Sequence, residues 1–138
     1  MEQTLSYHLV RLYKDFLSFT TKELKELGLN YGQLPFILYI GKHPGCTQAE
    51  LTNGLKIDWG YSQRSITKLI DSHFIVKNYL DGDNRTGHLT LTVSGDLAFT
   101  VSHKVFSLWD QMHLKDFTPE EKETLLSLLM KISVKEYE

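Results

Sequence analysis

Apolar residues recur every three or four positions through most of this chain, and in one short stretch they alternate instead. Leu5, Leu9, Leu12, Phe16 and Leu17, extended by Leu24 and Leu27, predict one long amphipathic helix ending at Gly28. Asn30 and Gln33 form a capping pair for a helix that carries Leu34, Ile37, Leu38 and Ile40, with Pro35 slightly late for a first-turn proline. Gly41 to Gly45 breaks the chain. Thr47-Gln48-Ala49-Glu50 reads as a capping box opening a helix through Leu51 and Leu55. A short turn later, Asp58 is placed to cap a second helix with Ile66, Leu69 and Ile70 on its apolar side. A strand near Ile75 to Tyr79, a polar tip from Asp81 to Gly87 and a strand from His88 to Val93 follow. Leu89, Leu91 and Val93 alternate with Thr90 and Thr92, which predicts one buried face. Leu97, Val101, Val105, Leu108 and Met112 mark another long helix. Thr118-Pro119-Glu120-Glu121 caps a last one, with Leu125, Leu128, Leu129 and Ile132 as its buried stripe.

Helix, short turn, helix and charged-tip hairpin, in that order, spell a winged helix-turn-helix. The predicted class is therefore mainly α with a small β-wing (α+β). The helix from Asp58 to Asp71 turns Tyr61, Gln63, Arg64, Thr67 and Lys68 away from its apolar side, and Ser62 is a further candidate for DNA contact. Hydrogen-bonding and basic side chains at that spacing suit a groove of double-stranded DNA. At the hairpin tip no core requires a long cation, yet Arg85 stands there beside Asp83.

These stretches together resemble the MarR family of multiple-antibiotic-resistance regulators, in particular its SlyA-like members. The resemblance rests on Leu27-Gly28-Leu29-Asn30-Tyr31-Gly32-Gln33, Pro44-Gly45-Cys46-Thr47-Gln48-Ala49-Glu50-Leu51, Asp83-Asn84-Arg85, Leu91-Thr92-Val93-Ser94-Gly95 and Phe117-Thr118-Pro119-Glu120-Glu121. It implies a homodimeric transcriptional repressor. Residues 1–28 and 94–138 would be dimerisation helices and 30–93 a winged DNA-binding lobe, with the family's aspartate-x-arginine wing signature on Asp83 and Arg85. It also implies a small aromatic or anionic effector between helices and lobe, for which Tyr7, Tyr13, Phe36, Tyr39 and Trp109 are candidates beside Phe16 and Phe106. The chain departs from the family in three places. Trp59-Gly60-Tyr61-Ser62 stands where two hydroxyl residues usually open the recognition helix, His73 replaces the glycine before the first wing strand, and Gly54 occupies an apolar position before the turn.

Composition narrows the alternatives. With 138 residues, of which 41% are hydrophobic, one core is expected. No stretch approaches a membrane span, the N-terminus lacks a signal peptide's apolar region, and a single cysteine fits a reducing compartment, so a cytoplasmic protein is expected. The net charge of −2 and a motif with five cations (Lys56, Arg64, Lys68, Lys77, Arg85) against five anions (Glu50, Asp58, Asp71, Asp81, Asp83) argue against strong non-specific DNA affinity. They keep open a winged helix that binds protein instead. Cys46, just before a helix start, would have a lowered pKa that suits a redox sensor, the alternative being a small, half-buried structural cysteine. The six histidines are scattered rather than clustered as a metal site requires, and no cofactor motif or catalytic arrangement is present, so no enzyme is expected.

Overall fold

The structure, a computed structural model, describes residues 2–132. Residues up to Phe106 form one compact unit and those from Ser107 a second. The helices are α1 (Leu5–Lys25), α2 (Leu34–Lys42), α3 (Gln48–Leu55), α4 (Trp59–Asp71), α5 (Val93–His113) and α6 (Pro119–Met130). The strands are β1 (Cys46–Thr47), β2 (Ile75–Tyr79) and β3 (Gly87–Leu91), in the antiparallel order β1-β3-β2.

Local chemistry sets most of the boundaries. Thr4 caps α1 by accepting from the Tyr7 amide at 3.1 Å, and Gly28, at φ 77°, turns the chain out of it. Asn30 and Gln33 make the reciprocal capping box, but around a single 3₁₀ turn, Tyr31–Gln33; α2 begins only at Leu34. Pro35 therefore does fall in a first turn, where its missing N–H costs nothing. Thr47 accepts from the Glu50 amide at 3.2 Å, while the Glu50 carboxylate takes the Thr47 hydroxyl proton at 3.1 Å rather than closing a box on the backbone. Asp58 caps α4 through the Tyr61 amide at 2.8 Å.

The core of the first unit lies between α2, the α3–α4 pair and the sheet. Ile37, Ile40, Leu51, Ile66, Leu69, Ile75 and Leu89 are fully buried there, each contributing about 1.5–3 kcal/mol of transfer free energy. β1, too short to be read from the sequence, pairs Cys46 with Leu89 and Thr47 with His88. On the other edge β2 pairs Ile75 with Leu91 and Tyr79 with Gly87.

Three expectations are corrected. The second wing strand stops at Leu91, not Val93. The Thr92 hydroxyl donates to the His73 carbonyl at 2.6 Å and accepts from the Gly95 amide at 3.1 Å, which starts α5 and leaves Val93 89% exposed. α5 buries Gly95, Ala98, Ser102 and Val105, while Leu97, Leu108 and Met112 of the expected stripe are exposed. Close approach explains this: a Cβ on Gly95 would meet the Phe74 carbonyl oxygen, and one on Gly41 the Phe99 ring. In the second unit α6 buries none of its residues, so the stripe containing Leu128, Leu129 and Ile132 is exposed in the single chain.

Two family departures acquire a physical account. His73 adopts a left-handed φ of 65°, as a glycine would, at a cost of about 1 kcal/mol. Its amide donates to the Ile70 carbonyl at 3.0 Å, and its own carbonyl takes the Thr92 hydroxyl. Gly54 is small because the Tyr39 ring fills the space its side chain would take; a Cβ there would run into the ring at Cε2. Tyr39 is itself tethered by donating to the Glu50 carbonyl at 3.2 Å. Gly54→Ala should therefore lower the melting temperature, even though alanine in a helix interior is favoured over glycine by about 1 kcal/mol. A thermal melt of the two proteins checks the sign.

Candidate nucleic-acid interface

The six α4 residues singled out from the sequence do not all share one environment. Gln63, Arg64, Thr67 and Lys68 are exposed and, with Asp71 and Ser72, line a shallow furrow along the helix. Tyr61 is 40% exposed, with its ring 5.9 Å from that of Phe36, so it is anchored on the core side and presents one edge outward.

Ser62 is different. It is fully buried, and its Oγ lies 2.7 Å from Thr52 Oγ1, which lies 2.6 Å from the Gln48 carbonyl. A carbonyl can only accept, so Thr52 donates to Gln48 and Ser62 supplies the proton between the two hydroxyls. Ser62 thus ties α4 to α3 instead of facing a groove. Its polarity alone suggested exposure; its spacing, four residues before Ile66 and seven before Leu69, places it on the buried face of the helix.

The wing tip is ordered by Asp83. Its Oδ1 accepts from the Arg85 amide at 2.8 Å and the Thr86 amide at 3.3 Å. Those backbone donors, Arg85 first, hold the carboxyl below its usual range, with His88 adding to the effect. Asp83 thus shapes the loop that carries Arg85. His88 adds a cross-strand tie. Its Nδ1 lies 2.8 Å from the Gly45 carbonyl, so that nitrogen carries the proton.

A groove of about 380 Å³ runs between the start of α3, the start of α4 and the wing. Trp59, Gln63, Lys77, Tyr79 and Arg85 line it, and no carboxylate does. The five-to-five charge balance of the motif is thus unevenly spread, as local phosphate contact requires. The Lys77 stem lies over Gly87, where a Cβ would meet its Cγ and Cδ. Gln48 is 8% exposed on the same wall, and its Nε2 is buried without a hydrogen-bond partner. Trp59, Tyr79 and Gln48 were not singled out from the sequence as interface residues. The available signal was a large apolar ring at the first helical position, in line with Ile66 and Ile70 but at the open end of their stripe.

The aromatic residues proposed to hold an effector are dispersed. Tyr39 lines a cavity of about 600 Å³ in the first unit with Phe16, Tyr31, Lys42, His43 and Phe106. Phe36 is buried in the core, Tyr7 lies edge-on to His8 and under Arg11, and Tyr13 is half exposed. Trp109 belongs to the second unit, where it stacks on His113. Burial pushes the Tyr31 phenol above its ordinary value, and Tyr13 adds to the shift.

Cys46 is 4% exposed, and burial, reinforced by the Glu50 carboxylate, pushes its thiol up to about 11. The helix-dipole argument for a reactive thiol is overridden by desolvation. The fold favours the protonated thiol, so its contribution to stability holds below pH 9.0 and declines as pH rises towards 11. Alkylation by iodoacetamide at pH 8 should be on the order of a hundredfold slower in the native protein than in denaturant, following the thiolate fraction. Mass spectrometry of the time course measures it.

No family model matches the chain. It is 40% identical over 132 residues to the HTH-type transcriptional regulator BilQ of Clostridium symbiosum, covering 96% of this chain and 92% of that protein. A MarR protein from Peptoclostridium difficile superposes with a TM-score of 0.78 at 27% identity, covering 95% of this chain and 86% of the other. A MarR family transcriptional regulator from Listeria monocytogenes, solved in complex with a 26-mer DNA, superposes with a TM-score of 0.75 at 25% identity, over 94% and 86% of the two chains. By this similarity over nearly its whole length, the chain belongs to the MarR family of DNA-binding winged helix-turn-helix transcriptional regulators.

Proposed function

We propose that this regulator is a homodimeric, ligand-responsive repressor that grips a pseudo-palindromic operator. The exposed face of α4 carries the reading: Gln63, Arg64, Thr67 and Lys68 have no role in the core and sit on the helix that follows the turn. Each α4 enters a major groove, where Gln63 and Arg64 address base edges and Lys68 a phosphate. The wing reaches the neighbouring minor groove through Arg85, with Lys77 on the flanking backbone. Two-fold symmetry then spaces the half-sites about one helical turn apart.

The proposal of a dimer rests on apolar surface. Leu5, Leu9 and Leu12 on α1 and Leu128, Leu129 and Ile132 from α6 onward are each about half exposed or more, and so much leucine is covered in solution by a second copy. The cavity that includes Tyr39 is the candidate effector site. Its walls are largely aromatic and aliphatic, Lys42 and His43 are at hand for an anionic group, and the Tyr31 phenol stays protonated to donate. A ligand that binds better to a dimer with altered lobe spacing withdraws it from DNA.

Two measurements test this reading. Arg85→Ala should leave the melting temperature unchanged and weaken binding to a promoter duplex tenfold or more. Asp83→Ala should lose part of that affinity, while Asp83→Asn, which keeps the accepting oxygen, should retain it; unaltered affinity in Arg85→Ala removes the wing from the interface. Separately, Leu9→Glu with Leu12→Glu should shift sedimentation from twice the mass of one chain towards a single chain and weaken DNA binding in parallel. An unshifted sedimentation coefficient would place the dimer contact elsewhere.

A further inference from the structure

Trp59 is a large apolar side chain left exposed at the start of α4. It is 56% exposed at the first position of α4, fixed there by the Asp58 cap, and it contributes nothing to the core cluster. Gln63, one turn along the same face, lines the same groove, together with Tyr79, Lys77 and Arg85. A large ring left in water at the leading end of a recognition helix is costly to keep solvated and adds little to folding. Its position is the one from which such helices reach base edges.

We propose that Trp59 is a specificity-determining residue that packs on the 5-methyl group of a thymine in the major groove. The methyl is the only apolar feature a base pair displays there, and an indole face is the chain's only large apolar surface at that end of α4 among the residues lining the groove. Gln63 complements it, because a side-chain amide pairs in two places with an adenine edge. Together they address an A·T step, while the cations of the groove hold the backbone without regard to sequence. This proposal rests on α4 occupying the major groove.

The test uses the full chain and the duplex that it protects in the promoter of its own gene, with thymines replaced one at a time by uracil, which differs only in lacking the methyl. Wild-type protein should lose roughly fourfold in affinity at one position of each half-site, the worth of one buried methyl. Trp59→Ala should bind the thymine duplex about tenfold more weakly, be indifferent to uracil at that position, and melt as the wild type does. Trp59→Phe should recover part of both the affinity and the discrimination. Wild-type affinity in Trp59→Ala, or undiminished uracil sensitivity in it, overturns the proposal. Arg64→Ala separates the two levels. If it weakens binding while Trp59→Ala does not, only the thymine contact fails; if neither has an effect, the placement of α4 fails with it.

Discussion

The register of β3 is the constraint on which the rest of the lobe depends. β3 is the middle strand, and it pairs on one side with the residues that lead into α3 and on the other with those that leave α4. Leu89 at its centre is fully buried and faces both Cys46 and Lys77 across the ladders. A slip of one residue would turn Leu89 outward and bury its polar neighbours, so the register is held by the same burial that forms the core. Because β3 continues from the wing tip, that register also places Arg85 relative to the start of α4. The geometry of the groove beside the wing is thus a by-product of apolar packing beneath it.

Polar ties refine this frame. Thr52 and Ser62 join α3 to α4 inside the motif, His88 joins β3 to the loop at Gly45, and Thr92 joins the start of α5 to His73. The Thr52–Ser62 bond is buried, where leaving a hydroxyl unpaired costs about 1–3 kcal/mol, whereas the His88 and Thr92 bonds lie nearer the surface and fix loop geometry. Gln48 Nε2 is the exception on the groove wall. The left-handed residues Lys56 and His73 both occur where a helix of this motif ends. Neither is glycine, so the chain accepts local strain in return for tight turns around the recognition helix.

Charge explains how a protein with a net charge of −2 serves as a DNA-binding regulator. The wing groove gathers Lys77 and Arg85 with no carboxylate on its walls, while Asp83 is occupied by backbone amides. Weak overall attraction to phosphate leaves more of the binding to depend on contacts made at particular base pairs, which suits a regulator selecting one site among many.

Much of the fold was legible along the chain because its signals are local. Thr47, Asp58 and Thr118 each cap the helix they were expected to cap, the 3.6-residue periodicity located every helix, and the polar tip located the wing. The order of these elements spelled a winged helix-turn-helix, and the family resemblance rested on the residue stretches within them. Side-chain environment was not local, and there the sequence reading erred. Ser62 looked like a surface hydroxyl until α3 brought Thr52 against it, and Leu97 looked buried until the close contacts at Gly41 and Gly95 turned the small face of α5 inward. Trp59 looked like a departure from a family pattern until the wing folded beside it and made it one wall of a groove. Capping, periodicity and turn chemistry act within a few residues, so the sequence by itself determined which helices and wing strands form and in what order, though not the short β1. Which face of each element meets water depends on residues far apart in the chain, and only the tertiary structure decided that.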